Sequence, residues 1–489
     1  MAQRWAVGAV LAAALFRALP LLENRFHPDE ALYAYFGRLI ASGRDPLLAH
    51  VVVDKPPLPF YLLAGSFGLF GGGEFAARLP SFFASLVSVA LIYALARRLY
   101  GRPAAALSAW LLALSPFAIL FAITLFIDPL LTALVLGGLW QAAARRPRGS
   151  ALAFALAFLA KQTAVLFLPL AAALYLAGAP PDAPPRTALR SLSHYGMAVA
   201  LGLALAALVT FGWDALRLQL GAPISFWAQG FSDNAPNRLI RSGEVLPRAR
   251  AWLDLLGYVT AAPVLNGALA LGLPGLLLSG LRRPTRAALM DLLIAGYLTG
   301  YLAAYWLLAF NVWDRYLLPV APWLLILLAR VSLKIAERLR ATAARAVPVL
   351  AVCLLLLPPA LTASRSGYPV GGDHGAYAGL DDTARFLNAL PYGAVLYDFW
   401  LSWQWNFYLF DGKVYIAWMP SPEALAVDLR AFGRTSPRYL VVPAWESAAE
   451  ARAAAGGAGF TLEPVHTSRR PDGSPAFVVY QFKAAPGPP

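Results

Sequence analysis

Apolar residues in this chain fall into blocks of about twenty, the length a helix needs to cross roughly 30 Å of hydrocarbon. A backbone inside lipid must satisfy its own hydrogen bonds, so each block is expected to be a helix. The alternating ten-residue pattern of a membrane barrel is absent. The blocks are Trp5–Leu22, Leu79–Ala96, about Ala104–Ala122, Ile127–Ala144, Ala151–Ala177, Tyr195–Phe211, a long block broken by Pro263 and Pro274 that ends at Arg282, one ending near Phe310, one starting just after Arg315, and Ala346–Leu361. The block Ala151–Ala177 has room for two short helices breaking near Lys161. That division gives about eleven spans in all.

The first block has no small-residue cleavage site and is interrupted by Arg17, which predicts an uncleaved span rather than a signal peptide. Two long polar stretches, 23–78 and 213–250, interrupt the series. From about Thr362 the pattern changes. Strand-like runs at Ala394–Trp400, Lys413–Trp418, Arg438–Ala444 and Ala476–Phe482 alternate with helical patterns at Asp381–Leu390 and Ser421–Phe432, the second with a Ser cap. The expected organisation is a polytopic α-helical membrane domain over 1–361 and a small extracytoplasmic α/β domain over 362–489. The closing AAPGPP is expected to be disordered.

Composition agrees: 59% of residues are hydrophobic and 13% charged, with mean hydropathy +0.59. A soluble protein of 489 residues needs a larger charged skin. The net charge of +14 would suit nucleic acid, but its placement excludes that partner. Basic residues cluster in alternate gaps: Arg97, Arg98 and Arg102; Arg145, Arg146 and Arg148; Arg186 and Arg190; Arg282, Arg283 and Arg286; and Arg330, Lys334, Arg338, Arg340 and Arg345, with Glu337 the lone acid in that last gap. Under one orientation, with the N-terminus cytoplasmic in a cell membrane, all these gaps face the cytoplasm and the C-terminal domain lies outside. Cys353, the sole cysteine, cannot form an intramolecular disulfide and says nothing of redox compartment.

Acids collect at the opposite rim. Asp29 and Glu30 follow the first block, and Leu32, Tyr35, Phe36, Leu39 and Ile40 then recur at helical spacing. This predicts an amphipathic helix on the membrane surface. The two acids either cap that helix or do chemistry there. Asp54-Lys55-Pro56-Pro57 leads into a further apolar helix, where Lys55 either snorkels or holds a phosphate. Asp128 stands at the start of the fourth block, Lys161 between the fifth and sixth spans, and Asp314-Arg315-Tyr316 before the tenth. Unpaired charge is costly beside hydrocarbon, so Asp128 is expected to face a cavity, and Asp29, Glu30, Asp54, Lys55, Asp128, Lys161 and Arg315 are expected at one level, the outer surface. Arg315 either grips a phosphate through two parallel bonds or pairs locally with Asp314.

The order of Asp29-Glu30, amphipathic helix, Asp54-Lys55-Pro56-Pro57, Gly73–Ser81 (GEFAARLPS), Asp128, Lys161 and Arg315-Tyr316 resembles the C-type (GT-C) glycosyltransferases of the protein O-mannosyltransferase and aminoarabinose transferase superfamily. The resemblance covers Arg4 to about Arg330 and is most specific at DKPP and GEFAARLPS. It implies a GT-C fold and an inverting hexosyl- or pentosyltransferase that moves a sugar from polyprenyl phosphate to a hydroxyl of a glycan, lipid or protein. Asp29 would be the catalytic carboxylate with Glu30 beside it; Lys55, Arg315 and Lys161 would bind donor phosphate; Asp128, Asp54 and Tyr316 would line the substrate cavity. Some members carry a metal-binding histidine in the second long loop, and 213–250 contains none. No cofactor is implied with certainty and a divalent metal stays open. The alternatives are a secondary transporter and a non-catalytic membrane scaffold. Transporters place charges near the midplane and show internal repeats; here the acids sit at one rim and no repeat is visible.

Overall fold

The computed structural model describes residues 2–179, 184–234, 236, 238–338 and 347–485. Arg340, Arg345 and the last four residues of the AAPGPP tail lie outside the described residues. Two compact units are present: Met1–Leu22 with Leu39–Gly371, and Glu23–Arg38 with Gly372–Pro489.

The first unit is helical, and a helix forms in every apolar block. Five of its helices are long and apolar enough to cross a membrane, among the described residues: Arg4–Leu21, Glu74–Tyr100, Arg186–Gln219, Pro263–Arg282 and Arg286–Leu307. A sixth span results if Arg102–Leu114 and Pro116–Ala122, bent by 57°, count as one. Shorter apolar helices cover Leu58–Phe70, Pro147–Ala160, Gln162–Ala177 and Leu350–Ala363. The block Tyr195–Phe211 belongs to one helix, Pro185–Gln219, longer than the apolar run at both ends. Arginine, leucine and alanine there are good helix formers and carry the helix past the apolar stretch.

The bend at Ser115 has a chemical cause. Pro116 lacks the N–H that would bond the carbonyl four residues back, at Leu112, and the turn beyond it no longer reaches Ala113. Arg17, fully buried, fills both vacancies: its guanidinium donates to Leu112 O (3.0 Å) and Ala113 O (2.8 Å), and its Nε to Ser85 Oγ (2.8 Å). The residue that interrupts the first apolar block therefore completes the backbone of the third. Ser115 caps the second half of the bent pair, accepting from Ala118 N (3.4 Å), and donates its own hydroxyl to Val259 O (2.6 Å). Arg78 of the GEFAARLPS motif does similar work, donating to Leu21 O (2.8 Å) at the end of the first span while pairing with Glu74 (3.3 Å). Arg330, one of the gap cations, forms a two-pronged bond to the buried Asp291 (3.1 and 3.0 Å).

The second unit is a five-stranded sheet between two layers of helices. Its strands are β1 Val395–Asp398, β2 Tyr415–Trp418, β3 Arg438–Pro443, β4 Phe460–Arg469 and β5 Pro475–Ala484, in the order β2-β1-β3-β5-β4. β1 is parallel to β2 and β3, and β5 is antiparallel to β3 and β4. Strand residues alternate between faces. Leu396, Tyr439 and Val441 pack with Leu380, Leu387 and Trp405 on one face, and Tyr397, Leu440 and Val442 with Leu425, Leu429 and Ala455 on the other. The four expected strands and two expected helices are present. β4 was not expected, because Pro464 and a register shift at Pro464/His466 break its alternation.

Segment 23–38 joins this unit. Phe26 is fully buried, edge-on to Phe407 (4.9 Å between centroids), and its N–H donates to Tyr408 Oη (3.3 Å). Arg25 pairs with Asp381 (3.7 Å). Arg38 stacks over Phe410 (4.4 Å), donates to Phe407 O (3.2 Å) and pairs with Asp411. The expected amphipathic helix forms at Pro28–Ala41, with Tyr35 against Phe410 (6.0 Å). Its Tyr35 side chain thus packs on protein of the C-terminal part.

Replacing Arg17 with Met leaves buried carbonyls unmatched and is expected to lower stability by about 2–4 kcal/mol. Thermal unfolding in detergent checks this, with Arg17→Lys recovering part of the loss.

Candidate active site

Within the first unit a cavity of about 230 Å³ opens among Asp54, Lys55, Lys161 and Tyr316, with Trp227 and Tyr305 in its wall. Four of the residues expected at the site thus share one concavity. Each reaches it through a break in regular structure.

Asp54 and Lys55 sit at the end of an irregular loop. The buried Asp45 carboxylate accepts the N–H groups of Ala49 and His50 (2.8 Å each), which folds the loop back on itself. Pro56 and Pro57 then start the helix Leu58–Phe70, where a missing N–H does no harm. Lys55 is 7% exposed and ion-paired with Asp54.

Lys161 marks the expected break in its block. Helix Pro147–Ala160 ends there, Lys161 is extended (φ −158°), and a 3₁₀ turn Gln162–Phe167 follows. Its ammonium donates to Asp128 (2.7 Å), the first residue of helix Asp128–Ala143, and lies 5.1 Å from the centre of the Tyr316 ring. Asp128 and Lys161 are both buried, so each keeps the other's charge affordable inside protein. Lys55 and Arg315 lie within electrostatic reach of Lys161. Arg315 stacks over Trp313 (4.2 Å) and Phe126 (5.0 Å). The Asp314 carboxylate accepts the backbone N–H groups of Arg315 and Gly371, 2.7 Å each. Tyr316 Cα is held through its carbonyl, which accepts from Tyr301 Oη (2.9 Å). Tyr305 stacks on Phe310 (4.7 Å) and packs against Tyr316 (5.1 Å), which makes an aromatic wall.

Asp29 and Glu30 belong to the other unit, at the start of helix Pro28–Ala41. Glu30 is buried and its carboxylate accepts the His27 N–H (3.0 Å); Asp29 N–H donates to His27 Nδ1 (3.3 Å). The Glu30 contact is helix capping of the box type. Asp29 is partly exposed. Among the described residues no three His, Cys, Asp or Glu side chains come together to hold a metal ion.

Several supporting residues escaped the sequence reading. Arg217, fully buried, donates to Leu48 O and Val51 O (3.0 Å each) and to Asp214 (2.7 Å). Asp214 also accepts Phe226 N–H (3.1 Å). One ion pair thus fixes both the loop that carries Lys55 and the helix Phe226–Asn234 beside it. Gly230 lies so close that a Cβ would stand 2.5 Å from Asp54 O. Arg248 gathers the carbonyls of Tyr305, Trp306, Leu308 and Phe310 (2.6–3.2 Å) behind the aromatic wall. The only sequence signal was an Asp and an Arg three apart at the end of a span, in Trp213–Arg217.

Residues 54–210 match the sequence profile of the dolichyl-phosphate-mannose-protein mannosyltransferase family. A Pseudomonas fluorescens undecaprenyl phosphate-alpha-4-amino-4-deoxy-L-arabinose arabinosyl transferase 1 is 32% identical over 231 residues, 44% of this chain and 40% of that protein. A Pseudomonas aeruginosa undecaprenyl phosphate-alpha-4-amino-4-deoxy-L-arabinose arabinosyl transferase is 32% identical over 115 residues, 22% of this chain and 21% of its own. The aligned regions therefore span well under half of these relatives. Among solved structures, ArnT from Cupriavidus metallidurans bound to undecaprenyl phosphate superposes over 98% of both chains, with TM-score 0.69 and 18% identity. The Archaeoglobus fulgidus oligosaccharyltransferase aligns with 97% of this chain and 74% of its own, at TM-score 0.54 and 13% identity.

The fold is that of the C-type glycosyltransferases, and the chain is a multi-pass membrane protein. Within that class its resemblance is to the protein O-mannosyltransferase and aminoarabinose transferase superfamily, in sequence and in fold.

Gly230→Ala is expected to push the Asp54–Lys55 loop aside, at a cost of about 1–3 kcal/mol. The Lys55 amine, buried in the unaltered protein, should then react several-fold faster with an amine reagent, which peptide mass spectrometry reads directly.

Proposed function

We propose that this chain is an inverting glycosyltransferase that moves a pentose or hexose from a polyprenyl-phosphate carrier to an acceptor hydroxyl. The observation that carries the reading is the meeting of Lys55 and Lys161 in one aromatic-walled cavity of a membrane unit. A carrier of this kind has an apolar chain, a phosphate at the headgroup boundary and a sugar beyond it. Such a substrate needs cations at that boundary, an apolar approach and a ring-shaped surface. Likeness to proteins named as undecaprenyl-phosphate sugar transferases supports the same donor class.

In this mechanism the Asp29 carboxylate takes the proton of the acceptor hydroxyl as its oxygen attacks the anomeric carbon. The bond from that carbon to the phosphate oxygen breaks, and its electron pair leaves with the phosphate. Lys55, Lys161 and Arg315 face the charge that grows there. Glu30 fixes the helix start that carries Asp29, and Asp128 holds Lys161 in place. Asp54 partners Lys55, and Tyr316 supplies an aromatic surface beneath Lys161. The chemistry belongs to the extracytoplasmic face, with the N-terminus in the cytoplasm and the C-terminal domain outside. This orientation is supported by arginine clusters in the alternate gaps. The acceptor is a hydroxyl of an envelope glycan, lipid or protein.

Asp29→Asn is expected to lower kcat by about 10²–10⁴-fold with folding intact. Turnover of purified polyprenyl-phosphate sugar by that variant at the unaltered rate would reject the assignment. Lys55→Ala is expected to weaken donor binding about 10–100-fold, the worth of one charge-assisted hydrogen bond. Titration with the lipid-linked sugar measures it, and an unchanged Kd would remove Lys55 from the phosphate site.

A further inference from the structure

The far end of the same helices holds a second polar concavity. A pocket of about 480 Å³ is lined by Tyr93, Ala94, Arg97, Arg98, Trp140 and Arg286. It lies away from the lysine cavity. Helix Asp128–Ala143 begins at the residue that pairs with Lys161 and carries Trp140 near its other end. A helix of that length spans about 22 Å, most of a hydrocarbon layer.

Among the described residues, three guanidiniums and no carboxylate line this pocket. Two of them are anchored. Arg98 Nε donates to Ala143 O (2.5 Å), and Arg286 donates to Ala177 O (3.0 Å), each at the end of a neighbouring helix. A guanidinium has five N–H groups, so one bond to a carbonyl leaves others for a ligand. All three arginines are exposed, and Asp291, on the helix that Arg286 begins, is buried and engaged by Arg330. Trp140 and Tyr93 are the aromatic types that settle where acyl chains meet headgroups. Arginines between membrane helices, walled by such aromatics, suit a phosphodiester with apolar chains attached.

We propose that this pocket binds the headgroup of an anionic membrane phospholipid, at the end of the helix bundle opposite the lysine cavity. The phosphodiester sits among Arg97, Arg98 and Arg286, and its acyl chains run along the outer surface of helix Glu74–Tyr100, where Phe83 and Val87 are exposed. The site is independent of the sugar-transfer reading, since none of its residues is part of that chemistry.

The test is native mass spectrometry of the full chain after exchange into vesicles of phosphatidylcholine with phosphatidylglycerol or cardiolipin. The unaltered chain is expected to retain the anionic lipid over phosphatidylcholine. The R97Q/R286Q variant is expected to bind it about tenfold or more weakly, since each arginine is worth about 1 kcal/mol at a lipid surface. R97K/R286K keeps the charge and is expected to retain most of the binding, and K55A all of it. If R97Q/R286Q fails to fold, R97Q alone, at an exposed side chain, is read in the same way. Equal retention of phosphatidylcholine, or undiminished anionic lipid in the glutamine variants, overturns the site. Displacement of the lipid by millimolar inorganic phosphate would also overturn it, by assigning the pocket to a free anion.

Discussion

A helix that stops beside hydrocarbon leaves carbonyls that water cannot reach, and most of this chain's chemistry depends on how that vacancy is filled. The filler is arginine. Arg17 takes the carbonyls freed at Pro116, Arg217 those of the loop before Asp54, Arg248 those at and just past the end of helix Arg286–Leu307, and Arg78 that of Leu21. A guanidinium suits the task because its fork of donors reaches several carbonyls at once and stays charged when desolvated. Irregular backbone is tolerated at membrane depth only where protein satisfies it. These arginines therefore permit the breaks, and the breaks bring Lys55, Lys161 and the Asp128 end of its helix to one cavity.

This constraint explains what was legible in the sequence. The apolar blocks were visible because a span must be apolar along its whole length, and each is helical. The break near Lys161 was visible because a lysine inside a long apolar run has to leave it. Asp54, Lys55, Lys161 and Tyr316 could be grouped because unpaired charge is too costly to scatter through lipid. The supports were not legible. Arg217 finds its carbonyls 169 and 166 residues away, and Arg17 its own 96 and 95 away, with nothing local to announce either. Gly230 reads as an ordinary glycine until Asp54 O is seen above it. The edge strand β4 was hidden because its outward residues are polar and a proline interrupts them.

The C-terminal domain takes on a definite role once segment 23–38 is seen to fold with it. A buried phenylalanine, an aromatic-stacked arginine and two ion pairs hold that segment to the face of the sheet domain carrying Trp405 and Phe407. Contacts of this kind are worth several kcal/mol together, enough to order a short segment. The position of Asp29 is therefore inherited from a domain more than three hundred residues later in the chain, so that the tail and the acid behave as one body.

Each lysine of the cavity already has its own carboxylate, Asp54 for Lys55 and Asp128 for Lys161. A pocket of bare cations would cling to a spent carrier phosphate, which bears more negative charge than the sugar-linked form. Two self-balanced pairs instead leave Arg315 as the cation that gives the proposed phosphate site its attraction, and let the two lysines reorient toward an anion. On the proposed function, the tether that keeps the ammonium groups ready would also let an emptied carrier go.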